Sequence, residues 1–381
     1  MVNKTVGIIT IDDYTNYGNR LQNYALTKLI EREGYNVVNG IRVITKEDWI
    51  NRTESPLKKK IKQAIPYWFY KHYIYKSPKE KTGLLKSREE NFLKFISDYT
   101  TLIEPVISAT HVQANKILEP LGIDYYIVGS DQVWNPYFGG KEYEFLTFTE
   151  STKRYSFAAS IGVDNLPENV KGFYKKNLLK FRYLSVREEQ AALVIKDLVN
   201  REVDVTLDPT LLLEKSEWDK IIKKPSIKID KQYICAYFLG EVPKAVYSFS
   251  EKEGLPIYFL NDINYRELFI IEPREFLYIL KNAEFVLTDS FHGTAFSIKF
   301  HKEFYVFRRQ GNKATNLFSR IESITRRFGL ESRVQERVQI ENQVPINNWD
   351  QIDKELLAEA KTSIRKLINT MEQQDENKAY Q

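Results

Sequence analysis

The polar run T-D-S-F-H-G, from Thr288 to Gly293, directly follows the apolar run Phe285 to Leu287. This order predicts a short buried strand, a loop and the N-terminus of a helix. In an open α/β sheet, ligands bind at such a junction, outside the carboxyl ends of the strands, and free N–H groups of the helix favour an anion. His292 could hydrogen-bond a phosphate or transfer a proton near neutral pH. The alternative is that Asp289 and Ser290 only cap the helix.

Three other segments place polar side chains directly after a predicted strand: residues 16–19, 130–135 and 187–189. Short apolar strands alternate with helices along the whole chain, which predicts parallel sheets. Since parallel strands end at the same edge of a sheet, we expect these polar segments to lie where a ligand binds.

The elements that position these segments form two α/β units. The chain opens with a buried strand in K-T-V-G-I-I-T-I, a helix from about Arg20 to Glu33 and a strand from Tyr35 to Val38, a βαβ arrangement. A chain of 381 residues is long for one core, and alternation resumes after about Glu214. We therefore predict two domains, residues 1–214 and 215–381, facing each other across a cleft.

Composition and motifs argue against several classes of protein. The chain has no run of eighteen apolar residues that would form a transmembrane helix, and its first apolar stretch is too short for a signal peptide. The single cysteine, Cys235, excludes an intramolecular disulfide and indicates a reducing compartment, so we expect a cytoplasmic protein. The chain lacks a G-x-G-x-x-G turn, a Walker A loop and a nucleophile elbow. Its four histidines have no metal-ligand spacing, so no metal is expected.

A basic, aromatic segment interrupts the first domain between Leu57 and Lys86. It contains nine lysines against one glutamate, interleaved with Y-W-F-Y at Tyr67 to Tyr70. Lysines beside aromatics suit the surface of an anionic membrane, so peripheral contact at the inner face of the membrane is one interpretation. A solvated linker whose aromatic rings pack on the domain is the other. No nucleic-acid-binding motif accompanies the lysines, so nucleic acid is not an expected partner.

Five motifs in order resemble those of the polysaccharide pyruvyl transferase family. They are N-Y-G-N-x-L-Q-x-Y-A-L, I-V-G-S-D-Q-V-W-N-P, L-S-V-R-E, L-D-P-T-L-L-L and V-L-T-D-S-F-H-G, and they span about Gly7 to Arg333. The resemblance implies an α/β fold with two Rossmann-like, doubly wound domains in a glycosyltransferase-B-like arrangement. It also implies transfer of pyruvate from phosphoenolpyruvate to a sugar as a ketal, on a surface or capsular polysaccharide precursor.

Such a reaction sets requirements for the site. Protonation at C3 of phosphoenolpyruvate makes C2 electrophilic, a sugar hydroxyl attacks, phosphate leaves, and a second hydroxyl closes the ketal. The site therefore needs an acid, a base for the hydroxyls and cations for the phosphate and carboxylate. Fixed charges can meet these needs, so phosphoenolpyruvate is expected as co-substrate and no cofactor is expected.

The resemblance assigns roles to three residues. His292 matches the active-site histidine of the family, and we expect it to hold the phosphate or to protonate it as it leaves. Arg187 matches an arginine that binds the donor, although a salt bridge to a neighbouring helix is the alternative. Asp131, in the G-S-D-Q loop on the acceptor side, is our candidate base, or else an aspartate that caps the loop.

One position departs from the pattern of the family. Better-characterised branches carry a second donor-binding arginine where this chain has Ser290. Arg308, Arg309, Lys313 or Arg320 could supply the missing charge. The predicted donor-binding set is Arg187, Ser290, Phe291, Gly293, Arg308 and Arg320.

We expect the acceptor, a lipid-linked or nucleotide-linked saccharide, to contact polar groups of the first domain. The candidates are Asn16, Asn19, Gln132, Trp134 and Asn135, with Trp134 stacking on a sugar ring or else lying in the core. Asn16 and Asn19 could instead only shape their loop. The D-P-T at Asp208 to Thr210 is interpreted as a turn.

Two other functions fit the same sequence. The departure at Ser290 leaves room for a glycosyltransferase that uses a nucleotide-sugar, which shares the two-domain cleft. A non-catalytic saccharide-binding subunit of a polysaccharide assembly complex is the third possibility. Binding of a nucleotide-sugar would favour the glycosyltransferase. Biological activity that survives loss of His292 would favour the non-catalytic subunit.

Replacing the lysines at positions 58, 59, 60 and 62 with glutamate should weaken binding of the protein to anionic vesicles, because each basic residue near such a surface contributes about 1 kcal/mol. Vesicle sedimentation measures this, with neutral vesicles as the control. Unchanged binding would remove the membrane interpretation.

Overall fold

The computed structural model describes residues 4–11, 15–40, 42–43, 56–66, 83–102, 107–108, 119–137, 140–309, 318–341 and 344–379. Most of the basic, aromatic segment, including Tyr67 to Tyr70, and the candidate Lys313 lie outside these residues.

The first unit is built on a parallel sheet of six strands. The strands of this part of the chain are β1 (Thr5–Ile9), β2 (Asn36–Gly40), β3 (Arg42–Val43), β4 (Ile107–Ser108), β5 (Tyr125–Asp131), β6 (Arg154–Ala159), β7 (Ser185–Val186) and β8 (Asp204–Val205). The spatial order of the main sheet is β2-β1-β5-β6-β7-β8, and β3 pairs with β4 separately. Its helices are α1 (Tyr17–Arg32), α2 (Pro56–Ala64), α3 (Gly83–Tyr99), α4 (Glu168–Leu178), α5 (Glu189–Val199), α6 (Pro209–Leu212) and α7 (Lys215–Ile221).

The second unit is built on a parallel sheet of five strands. They are β9 (Ile234–Tyr237), β10 (Ile257–Phe259), β11 (Phe285–Thr288), β12 (Glu303–Phe307) and β13 (Val334–Gln335), in the order β10-β9-β11-β12-β13. Its helices are α8 (Lys244–Glu253), α9 (Arg266–Phe269), α10 (Pro273–Asn282), α11 (Phe291–Lys299), α12 (Ser319–Arg327) and α13 (Trp349–Ala379). Short 3₁₀ turns occur at Glu119–Leu121, Ser151–Lys153 and Glu331–Arg333.

The predicted fold class, two Rossmann-like α/β units, is confirmed. The chain crosses from the first sheet to the second between Val205 and Ile234, and the predicted domain boundary at Glu214 falls inside that segment.

Local sequence explains where the key elements begin and end. Every residue of β5 is buried, and its first four residues form the apolar run expected in a central parallel strand. Helix α1 begins at Tyr17, earlier than the predicted Arg20, because the side chain of Asn16 caps it by accepting from the N–H of Asn19. Helix α13 continues to Ala379, since no glycine or proline interrupts its polar last turns.

An aromatic contact joins the two units beside the cleft. The ring of Tyr17 stacks on the ring of Phe276, with centroids 4.4 Å apart. The hydroxyl of Tyr17 donates to the carbonyl of Ile271 at 3.0 Å. Both rings belong to one hydrophobic cluster that runs from β1 to α13, so the units share a core. Among the helices that the structure describes, none is long and apolar enough to cross a lipid bilayer.

Arg88 of α3 bonds to both units from a buried position. Its guanidinium donates to the carbonyl of Thr15 at 2.9 Å in the first unit, and to the carbonyl of Phe269 and the side chain of Asn261, 3.2 Å away, in the second. It also lies over the ring of Tyr17, 4.6 Å from the centroid. Arg88 therefore fixes the relative position of α1 and the second unit.

We expect Arg88→Ala to lower the free energy of unfolding by about 2–4 kcal/mol, because several buried carbonyls lose a charged donor. Urea denaturation measures the change, with the exposed Arg182→Ala as the matched control. Equal stability of the two variants would contradict a joining role for Arg88.

Candidate functional site

Six buried ionisable side chains converge where the two units face each other. Four come from the first unit, at the carboxyl ends of β5 and β7 and at the start of α6, and two come from α11 and α12. Each residue is less than one-tenth exposed. We call these residues the charged cluster: Asp131, Arg187, Glu188, Asp208, His292 and Arg320.

Arg187 and Asp208 form a buried ion pair at the centre of the charged cluster. Nη2 of Arg187 lies 2.6 Å from Oδ2 of Asp208 and also donates to Oγ of Ser130 at 2.6 Å. The other carboxylate oxygen of Asp208 accepts from the N–H and hydroxyl of Thr210, at 2.9 and 2.6 Å. Burial alone would raise the pKa of Asp208, but Arg187, His292 and Thr210 hold that pKa well below its ordinary value. Asp208 is therefore a permanent anion that fixes one edge of the guanidinium.

Asp131 lies at the end of β5 and faces the second unit. Its backbone has φ +67°, a left-handed conformation that aspartate adopts more readily than most residues. One carboxylate oxygen is 3.4 Å from Nη1 of Arg320 and 3.6 Å from Nη1 of Arg187, and the other accepts from Nδ2 of Asn19 at 3.4 Å. Although burial raises the pKa of Asp131, Arg187, His292 and Arg320 together lower it below its ordinary value. Asp131 is thus an ionised carboxylate, able to accept a proton.

His292 sits in the first turn of α11 and packs against the start of α1. Its Nε2 is 3.8 Å from Oδ2 of Asp208. A Cβ added at Gly18 would lie 2.0 Å from Nδ1 of His292, so only glycine fits there. The glycine of the N-Y-G-N motif therefore makes room for the histidine of the T-D-S-F-H-G motif.

Four buried nitrogen atoms of the charged cluster have no hydrogen-bond partner among the residues the structure describes. They are Nε and Nη1 of Arg187, Nε of Arg320 and Nε2 of His292. Arg187, Asp208 and Arg320 line a cavity of about 360 Å³ between the units. Phe291 also lines it, and the guanidinium carbons of Arg187 and Arg320 lie 4.7 and 5.6 Å from its ring centroid. Buried N–H groups normally have acceptors, so this wall is built for a ligand that carries anionic oxygens.

Glu188 is the remaining acid of the charged cluster. One of its oxygens accepts from the hydroxyl of Ser160 and is 4.0 Å from Nε of Arg320. The other, Oε2, has no hydrogen-bond partner among the described residues. Burial raises the pKa of Glu188 above its ordinary value, in spite of Arg187, Arg320 and Ser160, which lower it. The pKa of Glu188 is therefore shifted in the opposite direction from those of Asp131 and Asp208, which are lowered.

The predicted donor loop caps helix α11 and also holds a neighbouring loop in place. The hydroxyl of Ser290 caps α11 by accepting from the N–H of Gly293 at 3.4 Å, as the helix-capping alternative proposed. A Cβ on Gly293 would lie 2.3 Å from the hydroxyl of Thr288, which requires glycine. Asp289 accepts from the N–H groups of Leu239 and Gly240, so it braces a neighbouring loop.

Of the arginines that could replace the missing charge beside Ser290, Arg320 lies in the charged cluster. Arg308 lies outside the charged cluster: its side chain is 60% exposed, pairs with Glu322 and does not line the cavity. Arg309 pairs with Asp289, with Nε 3.1 Å from the carboxylate.

The predicted acceptor residues lie in two places: at the start of α1 and in the loop after β5. Asn19 is buried and bonds to Asp131, while Asn16 caps α1. Gln132 and Asn135 bond to each other at 2.9 Å, which stabilises the loop after β5. The stacking prediction for Trp134 is wrong: the residue has no exposed surface, and its ring stacks on Phe145 in the core, with centroids 5.6 Å apart.

Sequence reasoning missed three important residues. Asp208 was interpreted as part of a turn, and it does cap α6, but it also anchors Arg187. Glu188 follows Arg187 directly, and an acid next to an arginine predicted to bind the donor was a usable signal. Gly18 looked like a loop glycine, and only the packing of α1 against α11 shows that it faces His292. Within the described part of the chain, no group of three or more His, Cys, Asp or Glu is arranged to hold a metal ion.

The chain was compared with sequence families, curated proteins and solved structures, and the family comparison agrees with the motifs. A sequence-family model described as polysaccharide pyruvyl transferase matches residues 16–311, which confirms the resemblance. No curated protein sequence matches significantly. Among solved structures, UDP-GlcNAc 2-epimerase from Neisseria meningitidis, bound to UDP-GlcNAc, is similar with 11% identity, a TM-score of 0.45 and coverage of 97% of this chain and 100% of that chain. The glycosyltransferase SnogD from Streptomyces nogalater is similar with 9% identity, a TM-score of 0.41 and coverage of 97% and 99%.

We expect Gly18→Ala to destabilise the protein by about 1–3 kcal/mol, because the new methyl group must displace the ring of His292. Gly172→Ala is the matched control: Gly172 is also helical, a Cβ there meets nothing within 4 Å, and the change should stabilise by about 0.5–1 kcal/mol. Urea denaturation of both variants measures the difference. Two changes of the same sign and size would contradict the contact between α1 and His292.

Proposed function

Because the chain belongs to the polysaccharide pyruvyl transferase family, we propose that it transfers pyruvate from phosphoenolpyruvate to a sugar of a surface-polysaccharide precursor as a ketal. The acceptor is a lipid-linked or nucleotide-linked saccharide, possibilities that differ in the group attached beyond the sugar. Phosphoenolpyruvate enters as a co-substrate.

The observation that carries this proposal is that the two arginines lining the cavity, Arg187 and Arg320, have three buried nitrogen atoms without acceptors among the described residues. Phosphoenolpyruvate has a phosphate and a carboxylate a few bonds apart. Arg187 offers Nε and Nη1, since Asp208 and Ser130 occupy Nη2. Arg320 offers Nε from the other unit. Two guanidinium groups on one cavity match two anionic ends of one small molecule.

His292 and Asp131 carry out two proton transfers, one to the leaving phosphate and one from the attacking sugar hydroxyl. His292 Nε2 is held beside the ion pair of Arg187 and Asp208, where it can hydrogen-bond the phosphate and protonate it as it leaves. Asp131 is ionised and lies 3.4 Å from Nη1 of Arg320, and in this proposal it takes the proton of an attacking sugar hydroxyl. The surrounding guanidinium groups stabilise negative charge on the phosphate.

Exposed apolar side chains on α2 support peripheral contact with a membrane. Leu57 is 69% exposed and Ile61 is 59% exposed. They are four residues apart, so they lie on one face of the helix. The exposed Lys60 lies close to them in the sequence. This arrangement fits a cytoplasmic enzyme that meets a lipid-linked acceptor at the inner surface of the membrane.

Isothermal titration with phosphoenolpyruvate tests the donor assignment. We expect binding by the wild type, and a loss of about 2–5 kcal/mol of binding free energy in Arg187→Lys and His292→Ala. Lysine keeps a charge opposite Asp208 but lacks Nε and the planar fork of arginine, so the buried pair survives while the donor contact does not. Arg308→Ala, which removes an exposed arginine outside the cavity, should bind like the wild type.

Two results would contradict the proposal. If the wild type fails to bind phosphoenolpyruvate and binds a sugar nucleotide instead, the protein is a glycosyltransferase. If Arg308→Ala loses as much affinity as Arg187→Lys, the donor lies outside the charged cluster.

A further inference from the structure

The reaction needs an acid at C3 of the donor, and the roles given to His292 and Asp131 do not provide it. His292 serves the phosphate, and Asp131 is ionised and accepts protons. Asp208 is held as an anion by Arg187. The inference that follows rests on the proposed function and names the residue that fills this role.

Glu188 occupies an unusual position for a glutamate. It precedes α5 at the N-cap, yet its side chain makes no capping hydrogen bond to that helix. Instead the carboxyl group turns into the charged cluster, where Ser160 donates to one oxygen and Arg320 Nε lies 4.0 Å from the same oxygen. Its Oε2 is buried and has no hydrogen-bond partner among the residues described by the structure.

The groups around Glu188 come from four elements. Arg187 precedes it at the end of β7, Ser160 follows β6, Arg320 comes from α12, and Asp131 ends β5. Arg187 and Arg320 favour the charged form of Glu188, whereas burial and Asp131 favour the protonated form, and the pKa of Glu188 is raised above its ordinary value. Since Asp131 and Glu188 are pushed in opposite directions, one is suited to accept a proton and the other to donate one. A bound anion beside the arginines would favour the protonated form of Glu188 still more.

We propose that Glu188 is the acid that protonates C3 of phosphoenolpyruvate. The proton leaves Oε2, and the electron pair of the C2–C3 double bond forms the new C3–H bond. The oxygen of the first sugar hydroxyl bonds to C2, and its proton passes to Asp131. The oxygen of the second hydroxyl then replaces phosphate at C2, as the C2–O bond to phosphate breaks. The proton of the second hydroxyl restores Glu188. His292 protonates the phosphate as it leaves, and the proton on Asp131 restores His292.

Glu188→Gln tests this assignment, because glutamine keeps the shape and the acceptor for Ser160 but cannot give a proton to C3. Glu144→Gln is the matched control: Glu144 is a buried glutamate of the same unit, and its carboxylate accepts from the N–H of Lys141 outside the charged cluster. Each change is introduced into the producing strain, and ketal-linked pyruvate is released from its surface polysaccharide by mild acid. The purified variants are titrated with phosphoenolpyruvate.

We expect Glu188→Gln to lower transfer by about 10²–10⁴-fold, so that ketal pyruvate falls to background, while its affinity for phosphoenolpyruvate stays within about threefold of the wild type. Glu188→Asp, which keeps an acid, should restore part of the transfer. The infrared band of a protonated carboxyl group should be present in the donor complex of the wild type and of Glu144→Gln. That band should be absent in Glu188→Gln.

The outcomes separate this inference from the proposed function. If wild-type polysaccharide contains no ketal pyruvate, the proposed function fails and the role of Glu188 fails with it. If wild-type pyruvate is present and Glu188→Gln retains it, or retains the infrared band, Glu188 is not the acid. If Glu188→Gln loses affinity for phosphoenolpyruvate, Glu188 only positions Arg320, which also overturns the inference.

Discussion

The ion pair between Arg187 and Asp208 determines how the rest of the site is arranged. Both residues are buried, and moving two charges out of water is costly unless each has good hydrogen-bond geometry. Thr210, at the start of α6, and Ser130, in β5, complete that geometry. The pair therefore links β5, β7 and α6. The pair also determines which nitrogen atoms of Arg187 face a ligand. Because Asp208 and Ser130 occupy Nη2, Nε and Nη1 remain available.

The second unit must stay in place for this arrangement to work. Arg320 and His292 complete the charged cluster from α12 and α11, so the site exists only where the two units meet. The stacked rings of Tyr17 and Phe276 hold the units together beside the cleft. Gly18 then lets α11 approach α1 closely enough for His292 to reach the ion pair. Stability of the interface and geometry of the site therefore depend on the same helix, α1.

Local signals made a large part of the site predictable. Asp131 and Arg187 lie at the carboxyl ends of two strands of the first sheet, and parallel strands end at the same edge, so their convergence follows from sequence order. His292 follows β11 of the second sheet, and its polar loop after an apolar strand marked it as a site residue. The alternation of strands and helices likewise predicted two α/β units, and the family resemblance implied that they are Rossmann-like. These inferences need only the neighbours of each residue in the chain.

The errors concern properties that depend on distant residues. Trp134 is next to polar loop residues, and nothing local indicates that Phe145 covers its ring. Arg308 and Arg320 looked alike in sequence. Arg320 is buried in the first turns of α12, whereas Arg308, directly after β12, is exposed. The D-P-T motif is fully explained by local chain geometry, because Asp208 caps α6. Nothing local therefore indicates that Asp208 also pairs with Arg187, 21 positions earlier.

A crystal structure of the protein soaked with phosphoenolpyruvate tests the central claim most directly. We predict electron density for the donor in the cavity, with its anionic oxygens within hydrogen-bond distance of Nε and Nη1 of Arg187, Nε of Arg320 and Nε2 of His292. Density in the cavity lined by Phe238 and Asn261 at the edge of the second sheet, with no density at Arg187, would contradict the account.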